Sequence, residues 1–396
     1  MKSKIKKNIY YGRQTISGDD VDAVISVLNS DFLTQGPCVP KFQENVNRRV
    51  DVEFACATNS ATSALHISCL ALGVGSGDTV WTSPNSFVAS SNAALYCGAS
   101  VDFVDIDPLT LNICVDSLQE KLHAAKLTNS LPKVIIPVHF AGLPCDMESI
   151  FRLSREYGFR IIEDASHALG ASYSVEKLDN TISVGSCRHS DITVFSFHPV
   201  KMITTGEGGM ALTNDPTLFQ RLNFFRSHGI TSEKSMFDER PENEIWNYQQ
   251  IDLGFNYRMT DIHAALGISQ LTKLDFFLNR RREIAENYNK AFESLPVYGQ
   301  DHSENSSYHL YVINLSDLSQ NKNQKKLFEH LHSNSVGANL HYIPIYLQPF
   351  YRKLGFKPGY CPNAEDYFRR CVSLPIFPSL SKCEFDHVVE TIKDFF

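Results

Sequence analysis

The sequence predicts an α/β fold, a large domain with a mixed, mostly parallel sheet flanked by helices, followed by a smaller C-terminal α/β domain. The main observation is an apolar run at residues 134–138, an amphipathic segment that ends at Gly158, and a second apolar run at 160–163. Strand, helix and strand in this order form a βαβ unit, whose two strands are parallel. The length of 396 residues exceeds the ~250–300 at which one hydrophobic core stops growing, so two domains are expected.

The first elements predicted along the chain are helices. Ser17 followed by Asp20, and then by apolar residues at helical spacing, indicates a capped amphipathic helix. A Gly-Pro pair then interrupts the chain. A second helix is predicted over residues 61–73, behind a short polar turn.

The second half of the chain changes its pattern near residue 245. Before that point, strands are predicted at 192–197 and 210–213, separated by a turn rich in Thr and Gly. After it, the predicted elements are helices over 258–278 and 280–295, a strand at 310–315, a helix at 324–332, a strand at 337–342 and a helix at 388–395. We therefore predict a large domain over residues 1–250, and a connecting helix with a small domain over 251–396.

The composition argues against several classes of protein. A net charge of −7 leaves the chain without the basic face that nucleic-acid binding needs. The sequence has no apolar run of the ~18 residues that a membrane helix requires, and no signal peptide. Its ten cysteines include no Cys-x-x-Cys pair, which indicates reduced thiols and no zinc site. We therefore expect a cytoplasmic protein that binds no nucleic acid, membrane or metal.

The strongest candidate for a reactive residue is Lys201, in a segment that ends in the glycine-rich run 206–209. A lysine at the exit of a buried strand can be partly desolvated, which lowers its pKa and suits it to forming a Schiff base. The alternative is a solvated surface lysine in a glycine loop, because most lysines are exposed. The spacing alone does not decide between these two interpretations.

A carboxylate and an imidazole follow the strand predicted at 160–163. Asp164 would lie at the carboxyl end of a parallel strand, where open α/β sheets bind their ligands. There it could keep a pyridine nitrogen protonated, or it could simply cap the strand. His167 could contact the same ring or cap a helix.

A third candidate is the helix start formed by Ala61, Thr62 and Ser63. Small residues let the backbone approach an anion, and helix N-termini favour phosphate, although many helices begin in this way. Phe87 lies before another apolar helix. It could stack on a flat ring, although a phenylalanine in the core is the commoner case.

Together and in this order, these segments resemble the sugar aminotransferases of the DegT/DnrJ/EryC1/StrS family. The likeness covers nearly the whole chain, because several separate motifs agree. They lie at residues 33–36, 59–65, 163–167, 196–201, 206–209, 226–229 and 254–261. The resemblance implies the type I fold of pyridoxal 5′-phosphate (PLP) enzymes. It also implies PLP as the cofactor, with pyridoxamine 5′-phosphate as the intermediate form.

The resemblance also implies roles for single residues around the cofactor ring. Lys201 would carry the cofactor as a Schiff base, and Asp164 would pair with the pyridine nitrogen. Phe87 would stack on the ring, and His167 would lie near its phenolic oxygen.

The same resemblance implies how the phosphate is held and that two subunits share a site. The residues at the phosphate would be Ala61, Thr62, Ser63 and Ser196. Asn256 and Arg258 match the segment that family members insert into the neighbouring subunit's site. A homodimer with composite active sites is therefore implied.

Within the family, the motifs are most similar to those of enzymes of pseudaminic acid biosynthesis. This implies L-glutamate as amino donor, released as 2-oxoglutarate, and the UDP-sugar UDP-2-acetamido-2,6-dideoxy-β-L-arabino-hexos-4-ulose as acceptor. The residues that would contact the nucleotide sugar are Tyr11, Asp31, Phe32, Leu33, Thr34, Ala61, His341, Tyr342, Ile343 and Pro344. Met202 departs from that branch of the family, where proline is expected.

Three alternatives stay open. A sugar dehydratase of the same fold would carry histidine in place of Lys201. Another acceptor, of the GDP-perosamine, UDP-bacillosamine or dTDP-sugar type, would change only the nucleotide-linked keto sugar. A non-catalytic regulator that binds PLP predicts the loss of Lys201 or Asp164, or an added DNA-binding module, and the sequence shows neither.

Overall fold

The computed structural model describes residues 8–175, 181–238, 243–301, 305–319 and 322–396. Its first strands in chain order are β1 (Phe54–Thr58), β2 (Thr79–Thr82), β3 (Ser100–Phe103), β4 (Val134–Ile136), β5 (Arg160–Asp164), β6 (Ser172–Tyr173), β7 (Ile182–Ser183), β8 (Ile192–Ser196) and β9 (Gly209–Thr213). All of these except β6 and β7, which pair with each other, form a central sheet in the order β1-β9-β8-β5-β4-β2-β3. The remaining strands are β10 (Ile230–Thr231), β11 (Gln249–Gln250), β12 (Val297–Gly299), β13 (Tyr311–Leu315) and β14 (Cys371–Leu374).

The central sheet is mostly parallel. Strand β9 pairs antiparallel with β1 and with β8, whereas β8, β5, β4, β2 and β3 pair parallel with one another. Since β9 alone in this sheet runs in the opposite direction, the carboxyl ends of β1, β5 and β8 lie at the same edge. The predicted mostly parallel sheet of an α/β fold is confirmed.

The helices are α1 (Gly18–Leu28), α2 (Cys38–Val50), α3 (Ala61–Ala71), α4 (Ala89–Tyr96), α5 (Val115–Leu127), α6 (Met147–Tyr157), α7 (Pro216–Arg226), α8 (Asp261–Leu271), α9 (Leu274–Phe292), α10 (Gln324–Ser333), α11 (Pro349–Lys353), α12 (Pro362–Arg370) and α13 (Lys382–Phe395). At the start of α1 the Ser17 amide donates to the Asp20 carboxylate at 2.8 Å, as the sequence predicts. Gly158 ends α6 with a φ of 82°, a conformation that costs other residues free energy. No helix in the described ranges is long and apolar enough to cross a membrane.

Buried side chains cover both faces of the central sheet. Along β8, Val194 packs into a cluster with Leu65 of α3, and its neighbour Phe195 packs into a second cluster with Phe42 of α2. Neighbouring residues of a strand point to opposite faces, so each face needs its own helices. The sheet is therefore held between layers, and its edge stays open to ligands.

A separate apolar cluster surrounds the small sheet formed by β12, β13 and β14. It includes Tyr288 of α9, Val372 of β14 and Val388 of α13. Ile9, near the start of the chain, is buried in the same cluster, and its amide donates to the Ser335 carbonyl at 2.9 Å. The proposed domain division near residue 250 stays a prediction.

Two predicted elements differ from the structure. The helix predicted over 258–278 is broken, since α8 ends at Leu271 and α9 begins at Leu274. At this break the Lys273 ammonium reaches the buried Asp20 carboxylate at 2.7 Å, a long-range contact that periodicity cannot show. The strand predicted over 337–342 does not form. Its amide at Gly337 bonds to the Ile9 carbonyl instead, and the chain then turns toward the open edge of the central sheet.

Candidate active site

A cavity of about 740 Å³ lies at the carboxyl ends of β1, β5 and β8. The predicted site residues that line it are Tyr11, Ala61, Thr62, Phe87, Asp164, His167, Ser196, Lys201, His341, Tyr342 and Ile343. They come from distant parts of the sequence, and the parallel sheet brings them to one edge.

The other predicted site residues do not line this cavity in the single chain. Ser63 is buried just behind the helix start, where its amide bonds to the Ser60 hydroxyl at 3.1 Å. The remaining residues outside the cavity are Asp31, Phe32, Leu33, Thr34, Asn256, Arg258 and Pro344. Arg258 donates to the Ser227 hydroxyl at 3.0 Å, and Thr34 forms an isolated bridge with Thr260. These segments therefore lie beside each other, outside the cavity.

Asp164 ends β5, and its carboxylate is held in place by two donors. The Ser90 hydroxyl of α4 donates to Oδ2 at 2.6 Å, and the Ser166 amide donates to Oδ1 at 3.1 Å. The residue is 4% exposed and lines the cavity. A buried carboxylate with a fixed orientation can stabilise a positive charge on a ligand atom placed against it.

Lys201 lies in the turn after β8, next to β5 in the sheet. Its side chain is half-buried, and Nζ makes no hydrogen bond or ion pair with any residue that the structure describes. Burial lowers the pKa of this amine from 10.5 to about 8, although Asp164 opposes the shift and Arg281 adds to it. A larger fraction of the amine is therefore uncharged near neutral pH, which is the form that attacks a carbonyl carbon.

The His167 imidazole is kept neutral in the cavity wall. Burial and the positive charge of Lys201 hold its pKa well below the usual range. Its Nδ1 accepts the Ala141 amide at 3.3 Å, so the proton lies on Nε2. That nitrogen is 3.4 Å from the Tyr342 hydroxyl, at the edge of the cavity. His167 can therefore donate one hydrogen bond toward a ligand.

The start of α3 can bind an anion. The Ser60 hydroxyl caps the Ser63 amide, but the amides of Ala61 and Thr62 have no acceptor among the described residues. Both residues line the cavity, as does Ser196 at the end of β8. Free amides at the N-terminus of an eleven-residue helix favour phosphate.

The Lys201 amine, the Asp164 carboxylate and the anion-binding start of α3 together fit pyridoxal 5′-phosphate. Ala61 and Thr62 would hold its phosphate, Asp164 would face its ring nitrogen, and Lys201 would meet its aldehyde carbon. Phe87 lines the same cavity and is 60% exposed, so its ring is available to cover a flat ligand. The three groups of the cavity therefore match the phosphate, the ring nitrogen and the aldehyde of this cofactor.

Gly209 packs against the anion-binding start of α3, and we predict that Gly209→Ala disrupts this site. A Cβ at this position would lie 2.3 Å from the Ala61 nitrogen and 2.4 Å from the Ser60 carbonyl carbon, so the start of α3 would have to move. We expect about tenfold weaker PLP binding or worse, measured by absorbance titration. Gly75→Ala is the control, since a Cβ there meets nothing within 4 Å. Equal PLP affinity in both variants would contradict the assignment of the start of α3 as the phosphate-binding site.

Two features of the site had no clear sequence signal. Ser90, which fixes Asp164, lies in a run of small polar residues on α4 that periodicity marks only as buried. His309 lines the cavity, and its ring centroid is 4.3 Å from that of His167. His309 lies outside every motif and far from most of them along the chain, so sequence spacing could not place it in the site.

Comparison with known proteins indicates the class of this chain. Residues 14–393 match the DegT/DnrJ/EryC1/StrS aminotransferase family. The chain is 36% identical over 388 residues, 96% of each chain, to the UDP-4-amino-4,6-dideoxy-N-acetyl-beta-L-altrosamine transaminase of Campylobacter jejuni. It is also similar to the structure of Helicobacter pylori PseC, an aminotransferase involved in the biosynthesis of pseudoaminic acid. The TM-score is 0.87 at 31% identity, covering 98% of this chain and 99% of that one.

A further solved relative carries the cofactor. The PLP form of Spr1654, a putative sugar aminotransferase from Streptococcus pneumoniae, has a TM-score of 0.85 at 28% identity over 98% of both chains. Fold and site thus define a PLP-dependent aminotransferase of fold type I. The chain belongs to the DegT/DnrJ/EryC1/StrS aminotransferase family, and its cofactor is PLP. The predictions of family, fold type and cofactor are confirmed.

Proposed function

We propose that this enzyme transfers the amino group of L-glutamate to the C4 ketone of UDP-2-acetamido-2,6-dideoxy-β-L-arabino-hexos-4-ulose. The product would be UDP-4-amino-4,6-dideoxy-N-acetyl-β-L-altrosamine, a precursor of pseudaminic acid. The observation that carries the proposal is that the Lys201 amine and the Asp164 carboxylate line one cavity of an aminotransferase fold. The named activity of the Campylobacter relative supports the choice of sugar.

Lys201 is the residue proposed to move protons in the reaction. When bound, PLP supplies an electron-withdrawing ring that stabilises the electron pair left behind as a proton leaves the α carbon of the donor. With a pKa of about 8, Nζ of Lys201 can both take up that proton and return it to a neighbouring carbon. Since no hydrogen bond to the described part of the chain fixes Nζ, it is free to move between the two positions.

Asp164 and His167 are proposed to hold charge around the cofactor. The carboxylate, fixed by Ser90 and Ser166, would keep a proton on the ring nitrogen and so keep the ring electron-withdrawing. His167 stays neutral and would donate from Nε2 toward the ring's phenolic oxygen. Neither side chain has to reorganise during the reaction, because hydrogen bonds within the chain already hold both.

The opposite wall of the cavity is proposed to take the nucleotide sugar. Tyr11 packs against His341 with ring centroids 5.1 Å apart, and Tyr342 and Ile343 continue this wall. Burial lowers the pKa of His341 to about 3, so this wall carries no positive charge from it near neutral pH. The wall therefore offers aromatic faces and hydroxyl groups, which suit a sugar ring and its N-acetyl group.

A homodimer with shared sites is proposed from the residues that remain outside the cavity. Phe32 and Leu33 are 54% and 47% exposed, and Trp246 and Leu253 are 74% and 73% exposed. Several large apolar side chains that are this exposed indicate a surface that another chain covers. In such a dimer Asn256, Arg258 and residues 31–34 would complete the site of the partner.

The substrate is tested with purified enzyme, PLP, L-glutamate and a panel of 4-keto sugars linked to UDP, GDP or dTDP. The aminated product is identified by NMR, and 2-oxoglutarate is measured in parallel. We expect the UDP-linked 4-keto-6-deoxy-N-acetylhexosamine of the L-arabino series to react at least about tenfold faster than the others, as a pocket that reads sugar groups would require. Faster amination of a GDP- or dTDP-linked sugar would replace the proposed acceptor and keep the aminotransferase class.

A further inference from the structure

His309 is a buried imidazole of the cavity wall whose ring nitrogens have no hydrogen-bond partner among the described residues. The residue lines the cavity and is 4% exposed. Its Nδ1 is enclosed by protein atoms and unpaired, and Nε2 makes no hydrogen bond with the described part of the chain. Buried polar groups are nearly always paired, so an unpaired one in a cavity wall indicates a bond to a ligand.

The other buried imidazoles of the cavity wall differ from His309 in this respect. Both ring nitrogens of His167 have the partners given above. At His341, Nδ1 lies 2.8 Å from the Ser373 hydroxyl and Nε2 lies 3.4 Å from the Asn339 side-chain amide. Contacts inside the chain therefore account for these two imidazoles and leave the nitrogens of His309 unexplained.

Backbone hydrogen bonds on both sides hold His309 in this place. The Ser307 amide donates to the Gly142 carbonyl at 3.1 Å, and the Leu310 amide donates to the Ala141 carbonyl at 3.3 Å. These bonds would have to break before the segment could shift and bring the ring to a partner inside the protein. A donor that is fixed in this way is oriented before a ligand arrives.

The enclosure of Nδ1 indicates which nitrogen of His309 carries the proton. Burial holds the pKa of His309 well below its usual range, so the ring is neutral and carries one N–H. A buried N–H without an acceptor is rare in folded proteins. The enclosed Nδ1 is therefore the unprotonated nitrogen, and Nε2 carries the proton. His309 can thus donate one hydrogen bond to a ligand in the cavity.

A carboxylate is the acceptor that this donor suits best. No arginine lines the cavity in the described part of the chain, and Lys201 would be engaged with the cofactor, so a bound carboxylate depends on neutral donors. The His309 ring lies against that of His167, which is proposed to face the phenolic oxygen of PLP, with centroids 4.3 Å apart. In PLP that oxygen and the aldehyde carbon are on neighbouring ring atoms. The α-carboxylate of a donor whose nitrogen meets the aldehyde carbon therefore lies on the side of the two imidazoles.

We propose that His309 binds the α-carboxylate of the amino donor through a hydrogen bond from Nε2. This inference rests on the proposed function, because it takes L-glutamate as the donor and places the phenolic oxygen beside His167. His309 would then select α-amino acids over amines that lack a carboxylate, since without that group its N–H stays unpaired.

The test measures the binding of 2-oxoglutarate to the PLP-loaded enzyme by calorimetry, without any sugar. This ligand carries the two carboxylates of glutamate, and no amino group is present for transfer, so binding is measured without turnover. His309→Phe keeps a flat ring against His167 and removes the donor. We expect its dissociation constant for 2-oxoglutarate to rise about tenfold or more, because a hydrogen bond to a charged group is lost.

Two amide variants separate a donor role from a packing role. The amide nitrogen of glutamine can reach the position of Nε2, whereas that of asparagine reaches only the position of Nδ1. We therefore expect His309→Gln to bind 2-oxoglutarate within about threefold of the wild type, and His309→Asn to lose affinity as His309→Phe does. A role in packing alone predicts the opposite order, with His309→Phe closest to the wild type. The comparison of the two amides holds even if His309→Phe does not fold.

A matched variant and a second ligand serve as controls. His123→Gln changes an exposed histidine of α5 outside the cavity and should leave the affinity for 2-oxoglutarate unchanged. The distal monomethyl ester of 2-oxoglutarate keeps the α-carboxylate and lacks the second charge. We expect His309→Phe to weaken the binding of this ester by the same factor as that of 2-oxoglutarate.

The outcomes distinguish this inference from the proposed function. Wild-type affinity in folded His309→Phe and His309→Asn would overturn the inference, as would a loss confined to 2-oxoglutarate, which would assign His309 to the distal carboxylate. A wild-type enzyme that captures PLP but does not bind 2-oxoglutarate would refute glutamate as the donor, and this inference with it. The outcome of the sugar panel bears on the acceptor alone.

Discussion

Replacing Lys201 by alanine is expected to abolish transamination, with a loss of about 10⁴-fold or more. The reason is that one amine both captures the cofactor and carries the proton between two carbons. No other lysine lines the cavity in the described residues, so nothing nearby can replace it. Turnover is measured as 2-oxoglutarate released from glutamate, and capture of the cofactor as its visible absorbance.

The control for this change is Lys325→Ala. The Lys325 side chain is 85% exposed and its Nζ is 3.9 Å from Glu329, so its loss should alter neither turnover nor absorbance. Circular dichroism of both variants checks that they fold. If Lys201→Ala retained turnover within about tenfold of the wild type, the assignment of the reactive amine would be wrong.

Replacing Asp164 by asparagine is expected to lower kcat by about 10²- to 10³-fold. Asparagine keeps the shape of the side chain but lacks the negative charge that would hold a proton on the ring nitrogen. Because Lys201 is intact, PLP should still bind covalently and give its absorbance. The expected signature is thus a nearly complete loss of turnover with the cofactor in place.

Two further variants make the Asp164 experiment more specific. Ser90→Ala removes the donor at 2.6 Å from Oδ2 and should cost about tenfold in kcat, since the carboxylate keeps its charge but loses a fixed orientation. Asp386→Asn is the neutral control, because that carboxylate is 47% exposed and pairs with the exposed Lys382. Equal kcat in Asp164→Asn and Asp386→Asn would show that Asp164 has no charge-holding role.

Much of the large sheet could be predicted from the sequence, because its strands are short apolar runs bounded by glycine and polar turns. The second strand of the predicted βαβ unit, which is β5, was predicted to end at residue 163. In the structure it continues to Asp164. The antiparallel direction of β9 could not be predicted, since strand direction depends on which neighbours pair. The break between α8 and α9 was also missed, because the contact of Lys273 with Asp20 spans the chain.

The candidate site was predictable in part, and for a physical reason. Residues at the ends of parallel strands, such as Asp164 and Lys201, must meet at one edge once the sheet is predicted. Residues that act through a neighbour give no such signal. Ser90 was missed because its hydrogen bond to Asp164 exists only in the folded chain.

The central claim is that the amine at the end of β8 is the point where the cofactor is attached. The direct measurement is to load the enzyme with PLP, reduce it with borohydride and map the modified peptide by mass spectrometry. The account predicts a phosphopyridoxyl group on Lys201 and on no other lysine in stoichiometric amount. A modified lysine elsewhere in the chain, with Lys201 unmodified, would contradict it.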